Sequence, residues 1–214
     1  MQVEISEKER RVYRDNQGIE LFELISEKDF DKMRSEVDNW RLEKSHEEQW
    51  KLGRDLFQQL PSLKKILTKK SFVSVASQLS FKSTLRLAMS QLLGPLEPSK
   101  SLPTYYSEAL PFSEHYCYQG LTIAMMICLE PSETELEYPF PNTSGSVYFF
   151  PVTKEFSMKP LINLKSGLFM LSAFGEQSVL YIEQPNDPLV NKLKKEGYGF
   201  GDNLKNDSHP LFFL

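Results

Sequence analysis

The run Leu121–Leu129, LTIAMMICL, limits more than any other stretch what this chain can fold into. Its nine residues are apolar at odd and even positions alike, with Thr122 the one exception. Side chains alternate between the two faces of a strand, so a run of this kind needs cover on both sides of its sheet. It is far too short for a membrane-spanning helix, which needs roughly 20 apolar residues. A sheet with a layer packed on each face is the structure it demands.

One such layer is written in the first third of the chain. In LISEKDFDKMRSEVDNW, Ser26 is a good N-cap, Asp29 stands where a capping acid would, and Phe30, Met33, Val37 and Trp40 recur at helical spacing. Ser45 and Glu48 open a second helix by the same signature, with Trp50, Phe57 and Leu60 as its buried face. Pro61 closes that helix and suits the first turn of the next, and SFVSVASQLS supplies a fourth apolar stripe.

The patterning changes near residue 84. TLRLAMSQLL alternates, placing Leu85, Leu87 and Met89 on one face and Arg86 on the other. GSVYFFPV, GLFMLSAF and SVLYIEQP read as further separate strands bounded by turn formers. EPSETELEYPFPNTSG reads as a long exposed loop. Helices first and strands afterwards predict an α+β domain, a sandwich or partly open barrel with helices packed against it. A single domain over residues 1–214 is expected, with helical support at 20–83, a strand-rich core at 84–185 and a C-terminal lid or tail at 186–214.

Charge excludes some partners. The net charge is −4, and after residue 70 Arg86 is the only arginine. No basic stripe of the sort a phosphate backbone requires is present, which argues against nucleic acid. No secretory leader or membrane span is evident, so the expected location is cytoplasmic. The two cysteines, Cys117 and Cys128, have no paired spacing, and Cys128 reads as a small buried hydrophobe.

Several residues carry possible chemistry. If residues 113–118 are extended, His115 and Cys117 share a face, and a thiolate beside an imidazole suits zinc or copper. The same two residues could form a nucleophile pair, although no orienting Asn or Asp is evident. Pointing inward, Arg86 would hold an anionic ligand by a bidentate contact; pointing outward, it would pair with a helix carboxylate. Gly197, Gly199 and Gly201 alternate with Tyr198, Phe200 and Asp202 but lack dinucleotide-binding spacing. Asp202 and His209 either complete a site or belong to a lid docked by PLFFL.

In order, TLRLAMSQLL, His115-x-Cys117, LTIAMMICLEP, GSVYFFP and KSGLFMLSAFG resemble the phytanoyl-CoA dioxygenase-like branch of the iron- and 2-oxoglutarate-dependent oxygenases, over roughly residues 20 to 185. The resemblance implies a double-stranded β-helix, a jelly-roll or cupin-like barrel whose mouth holds iron by two histidines and a carboxylate. Cys117 stands where the family has its carboxylate, and Glu176, Gln177 and Ser178 occupy the place of the distal histidine. The arginine that grips the cosubstrate has no counterpart. The resemblance therefore implies an atypical member that binds a small organic ligand in its barrel without standard iron catalysis. An active enzyme using Fe(II) and 2-oxoglutarate through unusual ligands, and a protein-interaction module, are the alternatives. The ligand-binding candidates are Arg86, Gln91, His115, Cys117, Tyr118 and Gln177; the metal candidates are His115, Cys117, Glu176 and His209.

Overall fold

A computed structural model describes residues 3–44, 53–95, 108–162 and 164–214. Helix α1 (Glu7–Asn16) begins at Ser6, whose hydroxyl accepts from the Glu9 backbone N–H while the Glu9 carboxylate caps the Ser6 N–H in return. The helical layer thus starts before residue 20, earlier than expected. Strand β1 (Ile19–Leu21) follows, and then α2 (Glu27–Glu43), whose Met33, Val37 and Trp40 are buried as their spacing predicts. Its cap is Ser26, which accepts from the Asp29 N–H. Ser45, Glu48 and Trp50 lie outside the described residues. The helix they were expected to open is described only as a single turn, α3 (Leu56–Gln59). Pro61 does start α4 (Pro61–Leu67), and α5 (Lys70–Ser80) completes the layer.

The sheet is six-stranded and antiparallel throughout, in the order β1-β5-β4-β7-β2-β8. Its members are β2 (Thr84–Leu93), β4 (Tyr118–Glu130), β5 (Val147–Pro151), β7 (Leu168–Tyr181), β8 (Leu211–Phe213) and β1. A second, two-stranded ribbon joins β3 (Leu110–Pro111) to β6 (Glu155–Phe156). The large sheet curls into a half-barrel. One expectation fails here: GLFMLSAF and SVLYIEQP are a single strand, β7, of 14 residues. The turn-like Glu176-Gln177-Ser178 is instead an exposed bulge opposite Gly120. Gly120 has φ +93°, and a Cβ there would lie 2.8 Å from the Ser178 carbonyl oxygen, so a side chain would prevent this close approach.

The LTIAMMICL run is indeed covered on both faces. Ile123, Met125, Ile127 and Leu129 join Leu85, Leu87, Val147, Phe149 and Met170 in a core shared with the helices. Ala124, Met126 and Cys128 face the other way, into a second core with Phe150, Phe169, Leu171 and Tyr181. That concave face is roofed by Phe112, Tyr116, Phe156 and the segment carrying Leu193, Tyr198 and Leu204. A bulge between Leu87 and Met89 shifts the alternation of β2, which turns Met89, Gln91 and Leu93 toward the concave side. Among the described residues, no helix is long and apolar enough to cross a membrane.

Candidate functional site

At one end of the half-barrel a set of buried and partly buried charges interrupts the apolar core. Arg54 and Asp55 enter from the turn before α3, Gln91 from β2, Cys117 and Tyr118 from the start of β4, and Asp187 and Lys192 from the C-terminal segment. The Arg54 guanidinium makes a bidentate contact with Asp187 at 3.0 and 3.1 Å and donates from Nε to Gln91 Oε1 at 2.9 Å. It also lies over the Tyr116 ring, 4.6 Å from its centroid. The Asp187 carboxylate accepts in addition from the backbone N–H groups of Cys117 and Leu189. Both charged side chains are essentially inaccessible, at 2% and 0%. Burial alone would raise the Asp187 carboxyl, but the Arg54 charge, the hydrogen bonds from Arg54 and the backbone N–H groups of Leu189 and Cys117 together outweigh it and hold this group below its ordinary value.

A second knot sits beside the first. Asp55 accepts from the Ser90 N–H, from the Tyr118 hydroxyl at 3.3 Å and from Lys192 Nζ at 3.0 Å. Lys192 reaches Glu196 as well. Farther along the rim, Arg86 lies opposite Gly175 in the β2–β7 register. It donates to the carbonyls of Gln177 and His209 and to Asn206 Oδ1, at 2.7–3.1 Å. Its partners are therefore carbonyl oxygens, not the helix carboxylate expected for an outward orientation. His209 is fully buried; its Nδ1 meets Ser208 Oγ at 2.9 Å and its Nε2 meets Gln58 Nε2 at 3.2 Å. With the Gln58 amide donating, the ring is the neutral Nδ1–H tautomer. Burial depresses its pKa to about 4, in keeping with that form.

The candidates are thus divided among different places. Gln91, Cys117 and Tyr118 meet in the Arg54–Asp187 and Asp55 network. Arg86, the Gln177 backbone and His209 share the rim clasp. Glu176 stands at the surface, where its only ion-pair partner among the described residues is Lys82, at 2.5 Å. The extended conformation that would align His115 with Cys117 is absent. Residues 112–114 form a 3-10 turn, and His115 caps it at φ −82°, ψ −18°. His115 Nε2 donates to the Phe156 carbonyl at 2.7 Å, while burial and the nearby Asp187 push the Cys117 thiol well above its ordinary pKa. A thiol held protonated is a poor nucleophile and a poor metal ligand. Among the described residues, no group of three His, Cys, Asp or Glu side chains is placed to hold a metal ion. The donor set described does not fit an iron held by two histidines and a carboxylate; His46 lies outside the described residues.

Four charged groups of this end, Arg54, Asp55, Asp187 and Lys192, were not singled out in the sequence. Periodicity hides Asp55: on the helix expected there, with Trp50, Phe57 and Leu60 on the buried face, it falls on the opposite, solvent face.

No protein-family model matches the chain, and no curated protein matches it. Solved structures of similar shape exist. SnoK, the non-heme alpha ketoglutarate dependent carbocyclase from nogalamycin biosynthesis, superposes with a TM-score of 0.70 at 17% identity, over 97% of this chain and 96% of that one. The epimerase SnoN, from the same biosynthesis, gives 0.67 at 14% identity, over 96% and 97%. CytC3 with Fe(II) and alpha-ketoglutarate gives 0.56 at 12% identity, over 96% and 88%. The chain therefore has the fold of non-heme iron, 2-oxoglutarate-dependent enzymes.

Proposed function

We propose that this chain is an atypical, phytanoyl-CoA dioxygenase-like relative of those oxygenases, one that uses its half-barrel to bind a small organic ligand and not for standard iron chemistry. The Arg54–Asp187 pair carries this reading. A buried guanidinium held in a two-pronged contact, stacked on Tyr116 and flanked by Gln91, is a cradle for a carboxylate, and the occupant here is the chain's own Asp187. A ligand bearing a carboxylate would take that place when the C-terminal segment lifts. We read residues 1–214 as one cytoplasmic domain, a reduced double-stranded β-helix in which the β3–β6 ribbon is what remains of the second sheet.

The test combines metal analysis with melting curves. Protein given Fe(II) and 2-oxoglutarate is expected to retain no stoichiometric iron and to release no succinate. Stoichiometric iron, lost on His115→Ala or His209→Ala and accompanied by 2-oxoglutarate turnover, would overturn the reading in favour of an active oxygenase. For the cradle itself, acetate should raise the Tm of an Asp187→Ala variant, because a ligand of the native state stabilises it by mass action. The Arg54→Met, Asp187→Ala double variant should show no such rise. A rise absent from the single variant, or equal in the double, rejects Arg54 as the anchor.

A further inference from the structure

A groove whose lining shares no residue with the Arg54–Asp187 network has the features of a recognition surface. It consists of two adjoining cavities, about 510 and about 100 Å³, that share Arg10 and Gln78. Between them they are lined by α1, α5, the residues just before α1, and Phe213 at the end of β8. Two exposed aromatics stand along it: Phe81 lines the smaller cavity and Phe213 the larger, with 74% and 75% of their surface in solvent. Leu214, half in solvent, joins Phe213. Isolated exposed apolar residues need no explanation, but three along one groove do.

Charge indicates what would cover it. Arg10, Arg14 and Lys70 line the same two cavities, and among the described residues none of them has an ion-pair partner. Arg10 instead reaches the Ile5 carbonyl at 3.4 Å and lies 5.9 Å from the centre of the Phe81 ring. The one acidic side chain among the described lining residues is Glu4. In a chain of net charge −4, three cations without an ion-pair partner among the described residues, beside exposed aromatics, make a local field that attracts acids. Beside them, β8 is the last strand of the sheet, paired to β2 on one side and carrying the exposed Phe213.

We infer that this groove docks an acidic segment of another protein, extended alongside β8 and bearing apolar anchors for the Phe81 and Phe213 surfaces. An extended peptide alternates its faces, so glutamates at every second position meet the cations while aromatics between them meet the apolar wall. A second copy of this chain suits the groove poorly. Symmetric pairing through β8 would bring Arg10, Arg14 and Lys70 of two copies together.

The probe is a fluorescent synthetic peptide of about twelve residues, alternating glutamate with phenylalanine and threonine, titrated into the full chain. Binding with a Kd below about 100 µM is expected, weakening several-fold in about 0.5 M salt. Arg10→Glu with Lys70→Glu, and separately Phe213→Ser, should each weaken it at least about tenfold. Lys70 and Phe213 are exposed and Arg10 partly so, and an unchanged melting temperature verifies the fold of each variant. No binding at about 1 mM peptide, or equal affinity in the charge-reversed variant, overturns the inference. So does sedimentation onto phosphatidylserine vesicles without peptide binding, which would assign the face to a lipid surface. A dimer that is lost on Phe213→Ser would assign it to self-association.

Discussion

The two faces of the curled sheet are held by different forces. Against the helices, Leu87, Ile123, Met125, Phe149 and their neighbours bury aliphatic and aromatic surface, where each residue contributes by area and neighbours can partly compensate. At the concave end, Arg54, Asp55 and Asp187 are removed from water and tolerate burial only as pairs, Asp55 with the partly exposed Lys192. A buried pair adds little over apolar residues of similar volume, yet one partner left alone is severely destabilising. The lesson is that the helix face determines how stable the molecule is, whereas the mouth determines which arrangement of the C-terminal segment is allowed.

The comparison can be broken at the mouth first. Asp187→Ala should cost about 3–5 kcal/mol in chemical denaturation, since it strands a buried guanidinium. The Arg54→Met, Asp187→Leu double variant should recover most of that loss, and a strongly negative sum for the double would mean that the pair itself stabilises. On the helix face, Leu87→Ala should cost about 3 kcal/mol, with no partner able to restore it.

Acid sharpens the contrast next. His209 titrates near 4 in the fold and near 6.5 unfolded, so the unfolded chain takes up the proton first. Stability from this residue is complete above about pH 6.5 and is lost as pH falls toward 4, amounting to at most about 3 kcal/mol. Denaturation midpoints measured between pH 7 and 4 should fall, and His209→Gln should flatten that fall. The smallest effect belongs to the surface. Lys82→Gln, which removes the partner of Glu176 across an exposed contact, should change stability by no more than about 0.5 kcal/mol.

Much of the helix face is legible in the sequence because its signals are local. Met33, Val37 and Trp40 fall one turn apart, and β2, β4 and β5 carry apolar runs between turn formers. The continuous β7 is not legible, because Glu176, Gln177 and Ser178 look like a turn and only Gly120, on another strand, makes room for them as a bulge. Helix α1 was readable from Ser6 and Glu9, but its mean polarity and lack of buried residues hide it from a search for apolar stripes. The mouth is the least legible part. Arg54 and Asp187 are distant in the chain, and no spacing rule links them; Gln91, Cys117 and Tyr118 could be nominated, but not the charges they serve. The similar folds of SnoK and SnoN show the shell and leave the role of these residues to the experiments above.

The clasp on Arg54 also sets an order of events during synthesis. Its carboxylate partner lies 133 positions downstream. At about 5–20 residues per second, a ribosome needs roughly 7–27 s to supply it. Through that interval the nascent chain carries an uncompensated cation at the spot its sheet must enclose, so the helices and the β1-β5-β4 half of the sheet can form early, while β2 joins them only once β7 is made, a few residues before Asp187 emerges to close the mouth.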